Sequence, residues 1–329
     1  MSQYPDFESL PTVDGQPQGN TWGLWGKDDE LGTLNYLTHD VIRNAAREIK
    51  AGISIQLDFR LDYLNHRPAR REGFEHRIKD FKAENKGTGL AICAHDDVLT
   101  FNTQGSSQWD GLRHVGLQHS GTYYNGVKHQ DITGMKHDGR LGIHRWVERG
   151  GIVGRGVLLD YHGWRQQTGQ PTVAANSAFA ITTEELDAVA KHQGTEFHAG
   201  DILIIRSGFS VWYQQASKEE QIESIDRGAF IGLESSMEVA KWLWNHHFAA
   251  VAGDTVGFEC HPVNFGDKDA VILHEWLLAH WGTPIGELWD LEKLAKVCRE
   301  KTQWSFFLTS APLHVFGGVG TTPNVIAIL

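Results

Sequence analysis

The chain has 329 residues, 40% hydrophobic and 22% charged, which is the balance of a globular protein and not of a disordered or fibrous one. A formal net charge of -11 disfavours binding to nucleic acid or to an anionic membrane, because phosphate groups would be repelled. A soluble enzyme acting on small molecules fits better. Three cysteines without a CxxC spacing argue against a disulfide framework and a cysteine zinc site, so we expect buried, reduced thiols. The polar N-terminus lacks the apolar core of a secretory signal, no apolar stretch reaches membrane-spanning length, and we expect a cytoplasmic protein.

Short apolar segments along the chain predict strands that are buried on both faces. They cover residues 151–160, 201–207, 249–252, 306–309 and 325–329. The charged stretch 66–87 has only weak periodicity, and we interpret it as an exposed excursion because apolar residues resume directly after it. Nothing in the pattern divides the chain, so residues 1–329 are predicted to form a single domain.

Helices are predicted between these strands. Thr182 and Glu185 form a capping-box pattern, in which each side chain satisfies an unpaired backbone amide at a helix start. Four apolar stripes at helical spacing follow: Leu186, Val189 and Ala190; Met237, Ala240, Leu243 and Trp244; Leu273, Leu277, Leu278 and Trp281; and Leu291, Leu294, Ala295 and Cys298. Alternating strands and helices predict the α/β class. No glycine pattern of a nucleotide-binding loop follows a strand, so no nucleotide cofactor is expected.

The segment 104–114 has the most informative pattern of polar side chains. Gln104, Gln108, Asp110 and His114 follow one another at steps of four, two and four, among glycine and serine residues. We expect these small residues to let the backbone turn tightly and to bring the polar side chains around one point. A carboxylate can hold a cation there, and a histidine can take a proton from water. Asp110 and His114 are therefore the candidate catalytic residues.

This segment resembles the HxGTHxDxPxH signature of the cyclase family, which includes bacterial kynurenine formamidases and isatin hydrolases. The resemblance implies that Asp110 is a metal ligand and that His114 is the proton acceptor. Gln104 and Gln108 stand where the family has two metal-binding histidines. Two neutral amides in place of imidazoles lower the affinity for zinc relative to harder ions such as manganese.

A second register of the signature begins at His119 and ends at His129. It reproduces the HxGT opening and the spacing to the last histidine, but has Tyr123 for the second histidine and Asn125 for the aspartate. We favour the first register, because a neutral amide cannot neutralise a divalent cation as the carboxylate of Asp110 does.

The rest of the chain also resembles the family, most weakly around residues 66–87. In its terminal block a histidine and a glutamate bind metal, which implies the same role for His274 and Glu287. From the sequence alone, His274 could equally be a core residue of its helix, and Glu287 could cap the next helix. The implied fold is α/β, with a central mixed or barrel-like sheet surrounded by helices, the swivelling β/β/α arrangement. A homodimer or homotetramer is also implied.

The predicted function is hydrolysis of an amide, cyclic amide or lactone of a small molecule with a divalent cation, Mn²⁺ or Zn²⁺. A metal-weak cyclase, dehydratase or isomerase and a non-catalytic binding protein remain as alternatives. We expect Asp254, Glu259 and His261 to support the site from outside it. The predicted metal ligands are Asp110, His274, Glu287, Gln104 and Gln108, and the predicted substrate-binding residues are Trp109, His119, Tyr124 and Trp25.

Overall fold

The computed structural model describes residues 4–64, 66–134 and 138–329. Its strands are β1 (Ser54–Gln56), β2 (Glu75–Asp80), β3 (His95–Thr100), β4 (Gln108–Asp110), β5 (Ile152–Leu159), β6 (Ala180–Ile181), β7 (Ile202–Ile205), β8 (Gly232–Leu233), β9 (Ala250–Gly253), β10 (Ile285–Glu287), β11 (Ser305–Ser310), β12 (Gly320–Thr321) and β13 (Val325–Ile328). Its α-helices are α1 (His39–Ala45), α2 (Phe81–Glu84), α3 (His129–Ile132), α4 (His144–Glu148), α5 (Tyr161–Gln167), α6 (Thr183–Gln193), α7 (Phe209–Gln215), α8 (Lys218–Arg227), α9 (Met237–Asn245) and α10 (Glu292–Lys301).

One curled, mixed sheet organises the described part of the chain, with strand order β1-β13-β11-β5-β7-β9-β10-β4-β12. Four adjacent strands in this sheet, β5, β7, β9 and β10, are parallel to one another. The pairs on either side, β11–β5 and β10–β4, are antiparallel. The predicted α/β class with a mixed sheet surrounded by helices is confirmed. The prediction of a single domain over residues 1–329 stays a prediction.

The five strands predicted from apolar runs are all present, within two residues at each end, as β5, β7, β9, β11 and β13. Every residue of β7 and β9 is buried, as expected for strands covered on both faces. Among the described residues, no helix is both long enough and apolar enough to cross a bilayer.

The predicted helices are also present, and one of them has an unexpected winding. The capping box at α6 is confirmed, because Thr182 Oγ1 accepts from the Glu185 amide and Glu185 Oε2 accepts from the Thr182 amide. The stripe that ends at Trp281 belongs to a π-helix, Glu275–Trp281, which stops at Gly282 with φ of 67°. Such wide turns are rare and are often found at functional sites.

The charged stretch forms more structure than predicted. Strands β2 and β3 pair as an antiparallel two-stranded sheet, and all residues of β3 are exposed. The prediction of exposure for residues 66–87 is therefore largely correct, but the apolar residues that follow do not return to the core. The cysteines are free as expected, although Cys93 lies in this exposed region, so its predicted burial is wrong.

Candidate metal centre

The pairing of β4 with β10 places three polar side chains on one face of the sheet. In the antiparallel register, Glu287 lies opposite Gln108, and Ile285 lies opposite Asp110. Because side chains alternate along a strand, Gln108 and Asp110 share a face, with Glu287 directly across from Gln108. Gln108 Nε2 donates to Glu287 Oε2 at 2.7 Å and to Asp110 Oδ1 at 3.3 Å. The glycine and serine residues predict tight turns here, but a short strand brings the side chains together instead.

His274 completes this group from the residue just before the π-helix. Its Nε2 lies 3.1 Å from Glu287 Oε1 and 3.6 Å from Asp110 Oδ2. On the other side of the ring, Nδ1 lies 2.7 Å from Glu259 Oε2, and the His274 amide donates to Glu259 Oε1. A buried carboxylate bound to the second ring nitrogen orients a histidine whose first nitrogen faces a metal. We name Asp110, His274 and Glu287, with Gln108 and Glu259, the site cluster.

The donor atoms of the site cluster fit a divalent cation. One ligand atom each from Asp110, His274 and Glu287 can be chosen so that all lie within 4.8 Å of one another, and all three residues are buried. Asp110 Oδ2 and Gln108 Oε1 are buried and have no hydrogen-bond partner among the described residues. Buried acceptors without a donor are costly, and a cation satisfies them. Carboxylate and imidazole donors suit Mn²⁺ or Zn²⁺.

The shifted pKa values of Glu287 and His274 indicate that the site cluster lacks a positive charge. Burial, followed by the charge of Asp110, raises the pKa of Glu287 to about 7. Burial disfavours the imidazolium form of His274, but the Glu259 carboxylate and hydrogen bonds to the other carboxylates raise the pKa of His274 well above its usual value. A proton on His274 therefore takes the place that a cation would otherwise fill. Since a histidine binds metal only when neutral, proton and metal compete for this ring.

His114 lies at the edge of the site cluster and faces a cavity. Its Nε2 is 4.0 Å from Asp110 Oδ1, and its side chain is 20% exposed. The cavity has a volume of about 530 Å³ and is lined by His114, Tyr123, His129 and Phe265, among other residues. Burial lowers the pKa of His114 more than the nearby Asp110 raises it. The ring is therefore neutral at pH 7, as a proton acceptor must be.

Gln104 lies beside the site cluster, and its side chain forms no hydrogen bond with the cluster's carboxylates among the described residues. Its amide nitrogen is 2.5 Å from the position that a Cβ at residue 320 would occupy, and Gly320 pairs with Asp110 across β12 and β4. Only glycine leaves room for the amide at that position. Both side-chain polar atoms of Gln104 are buried without a hydrogen-bond partner among the described residues.

Two predicted substrate-binding residues lie in the core. Trp109 alternates with Gln108 and Asp110 and points away from them; it is fully buried, and its indole nitrogen donates to Ser310 Oγ at 3.0 Å. Tyr124 is also fully buried, and its hydroxyl donates to Asp29. The structure does not bring either side chain to the site cluster, and their substrate roles stay predictions that these positions do not support.

The other two predicted substrate-binding residues lie nearer the surface. Trp25 is half-buried and packs against Tyr36 and Trp244 at ring distances of 5.4 and 6.5 Å. His119 is exposed and lines a second cavity, which Phe265 also borders. His119 therefore lies near His114, because Phe265 lines both the cavity at His119 and the cavity at His114.

The second register of the signature places Asn125 at the position of the metal-binding aspartate, and the contacts of Asn125 bear on it. This residue would replace the metal-binding aspartate, but its amide nitrogen donates to the carbonyl oxygens of Gly26 and Asp29, and its amide oxygen accepts from the Gly23 amide. These are contacts that hold a loop. The preferred register instead places Asp110 in the group of possible metal ligands.

Glu259, which is expected to support the site from outside it, contacts His274 directly. One residue near the site, Arg71, is not predicted from the sequence. Arg71 was part of the stretch interpreted as solvent-exposed, yet its Nη1 donates to the Gln104 carbonyl oxygen at 2.8 Å, beside the site cluster. Glu259 follows a predicted strand, so its position gave a signal. No local pattern marked Arg71.

The chain is similar in sequence and fold to known proteins. The Cyclase family model (“Putative cyclase”) matches residues 37–260. A crystal structure described as a novel cyclase is 30% identical in sequence, with a TM-score of 0.82, and the match covers 94% of this chain and 99% of that chain. No curated protein matches.

Two solved isatin hydrolases are more distant. Isatin hydrolase A from Labrenzia aggregata, bound to benzyl benzoate, is 13% identical with a TM-score of 0.56, over 90% of this chain and 98% of that chain. An isatin hydrolase bound to the product analogue thioisatinate is 12% identical with a TM-score of 0.57, over 86% of this chain and 93% of that chain. These two show a shared fold. On the family match and the 30% identical relative, this chain belongs to the cyclase family.

Proposed function

We propose that this protein is a metal-dependent hydrolase that opens an amide, cyclic amide or lactone of a small molecule. The observation that carries the proposal is the convergence of Asp110, His274 and Glu287, which lie far apart in the sequence, beside a neutral His114 that faces a cavity. Isatin hydrolases of the same fold, whose name indicates opening of a cyclic amide, support this reaction class.

Each residue of the site has a defined part in the proposed reaction. A divalent cation held by Asp110, His274 and Glu287 would polarise the acyl oxygen and lower the pKa of water. His114 accepts the proton of the attacking water and returns it to the leaving nitrogen or oxygen. Glu259 holds the His274 ring in place through Nδ1. Gln108 spaces the two carboxylates by donating to both, and its free Oε1 is a further neutral oxygen donor.

The proposal is tested by metal analysis and a substrate panel. The purified protein is loaded with Mn²⁺ or Zn²⁺ and assayed with isatin, formanilide and dihydrocoumarin, which represent a cyclic amide, an aryl formamide and a lactone. We expect one bound ion per chain or more, and turnover of at least one compound that EDTA abolishes and added metal restores. Turnover that EDTA leaves intact would favour the alternative of metal-free proton-transfer chemistry. A metal-loaded protein that hydrolyses none of the three would contradict the proposal.

We also propose that the chain forms a homodimer or homotetramer. The two-stranded sheet of β2 and β3 carries exposed apolar side chains, with Ile78 60% and Leu99 47% exposed. Isolated two-stranded sheets are marginally stable, so a second copy packed there would stabilise it. Sedimentation equilibrium of the wild type and of Ile78→Lys/Leu99→Lys tests this. We expect the double variant to dissociate, and a monomeric wild type would refute self-association.

A further inference from the structure

Arg71 is a positive charge at the edge of an acidic site. Its Nη1 donates to the Gln104 carbonyl oxygen at 2.8 Å, and among the described residues it forms no ion pair with a carboxylate. The loop that carries it is also held by Asn102 Nδ2, which donates to Glu72 Oε2 at 2.8 Å. The guanidinium is therefore held in place by a backbone carbonyl and keeps donors for another partner.

Arg71 is linked through Gln104 to the strand that carries the site. Gln104, whose carbonyl it binds, packs its side chain against Gly320, the partner of Asp110 in the sheet. Four residues after Gln104, β4 begins and carries Gln108 and Asp110. The guanidinium is therefore tied to the segment that leads into the site cluster.

The side-chain amide of Gln104 adds an independent sign of a ligand. Gln104 is only 5% exposed, and its side-chain oxygen and nitrogen are both buried without hydrogen-bond partners among the described residues. Buried polar atoms are almost always hydrogen-bonded, so this unpaired amide, in the residue whose backbone carbonyl binds Arg71, indicates a polar ligand.

The charges around the site indicate the kind of ligand that it would bind. Asp110, Glu259 and Glu287 bring three negative charges, and a divalent cation offsets two of them. An anionic ligand would be repelled by the remainder in a chain that already carries a net charge of -11. Arg71 supplies the missing charge, in the planar, forked form that pairs with a carboxylate through two hydrogen bonds.

We propose that Arg71 binds a carboxylate of the ligand, so that the enzyme handles small molecules that carry an anionic group when they bind or once they are hydrolysed. This inference rests on the proposed function, because it places the carboxylate next to the acyl group that the site would attack. It makes Arg71 a specificity-determining residue, and it assigns a role to a stretch of the chain that the family resemblance matched least.

The test measures binding without turnover. Isothermal titration calorimetry of the Mn²⁺-supplemented protein uses benzamide, benzoate and phthalate as probes with no, one and two carboxylates. Arg71→Gln removes the charge, Arg71→Lys keeps the charge without the fork, and Arg70→Gln is the matched control, because Arg70 is exposed and adjacent. We expect Arg71→Gln to weaken carboxylate binding roughly 10- to 100-fold, Arg71→Lys to lie between, and Arg70→Gln to match the wild type.

The pattern across probes identifies the source of the carboxylate. Weakening of phthalate alone means that Arg71 binds an anionic group already present in the substrate. Equal weakening of benzoate and phthalate, with benzamide unchanged, means that it binds the carboxylate that hydrolysis generates. Unchanged carboxylate binding in Arg71→Gln, or an equal loss for benzamide, overturns the proposal. Because no bond is broken, a failed substrate panel leaves this result interpretable, and the reverse also holds.

Discussion

Two acidic clusters in this protein each contain three carboxylates but differ in how their charge is neutralised. In the arginine cluster (Asp160, Arg206, Asp254, Glu292 and Arg299), the Arg206 guanidinium binds Asp160 at 2.7 Å and both oxygens of Glu292 at 2.8 and 2.9 Å. Arg299 adds a contact to Asp160. Asp254 accepts from the amides of Ser207 and Gly208 and from the hydroxyls of Ser207 and Ser210.

The site cluster has three carboxylates and no arginine in direct contact. Its positive charge comes from His274 alone, and it retains acceptors without donors at Asp110 and Gln108. In the arginine cluster the carboxylates are satisfied within the chain, whereas the unpaired acceptors of the site cluster can be satisfied by a cation. Each cluster has three carboxylates, and arginine within hydrogen-bond distance of them distinguishes the two.

We expect the largest effect from loss of His114, the proposed proton acceptor, which has no counterpart in the arginine cluster. His114→Ala should lower turnover of a substrate that the wild type hydrolyses by about 10²–10⁴, because proton transfer from water loses its acceptor. Bound metal should not change. His162→Ala makes the same change beside the arginine cluster, where the His162 amide donates to the Arg206 carbonyl oxygen, and we expect its turnover to match the wild type. Steady-state kinetics with metal analysis decides; undiminished turnover in a folded His114→Ala would remove this residue from the mechanism.

A pair of isosteric substitutions tests the comparison itself. Asp160→Asn should lower the free energy of unfolding by about 1–3 kcal/mol, because it leaves the buried Arg206 with Glu292 as its only carboxylate partner among the described residues. Asp110→Asn should change stability in EDTA by less, because relief of the repulsion at Glu287 offsets the lost attraction to His274, while metal binding is lost. Urea unfolding with and without Mn²⁺ measures both. Similar destabilisation of the two variants in EDTA would mean that the clusters are not different in kind.

The carboxylate behind His274 should have a smaller effect. Glu259→Gln removes the charge that orients the ring, and losses of about 10- to 100-fold in metal affinity are typical of such changes. Glu275→Gln is the matched control, since Glu275 is adjacent to His274 but accepts from the Gln118 amide. Competition with a metal indicator measures the affinities. If both variants bind metal as tightly as the wild type, Glu259 does not support the ligand.

The fold was largely predictable because its signals are local. Apolar runs such as 201–207 predict buried strands, and the Thr182 and Glu185 capping box predicts the start of α6; both are confirmed. The hairpin β2–β3 was not predicted, because its exposed strands show neither an apolar run nor alternation. The π-winding before Gly282 leaves no mark in a pattern of apolar residues at helical spacing.

The candidate site was predictable only where a motif stood close together. Asp110 and His114 lie four residues apart, and the family signature placed them; their catalytic roles stay predictions. His274 and Glu287 needed the resemblance, because each alone reads as a core or capping residue. Trp109 was assigned to substrate from its neighbours, but strand alternation turns it into the core. Arg71 reaches the site through a tertiary contact with a backbone carbonyl, which no sequence pattern encodes.

Acid loss of metal at the site cluster can be separated from acid unfolding of the whole chain. Burial, together with the charge of His119, lowers the pKa of His280 to about 3, and His280 Nδ1 contacts Asn20 Nδ2 at 2.8 Å. The unfolded chain binds this proton near pH 6.5 and the folded chain does not. Stability is therefore complete above pH 6.5 and falls toward pH 3, by up to about 1.4 kcal/mol per pH unit.

His280→Asn keeps an acceptor for Asn20 and removes the titration. In circular dichroism, we expect its acid unfolding midpoint to move to lower pH, measured against each protein's own stability at pH 8. The pH at which metal is released should not move, because release reflects protonation of His274, whose pKa is raised by its own carboxylate neighbours. If metal release and unfolding shift together, metal is lost because the chain unfolds, and the site cluster has no acid response of its own.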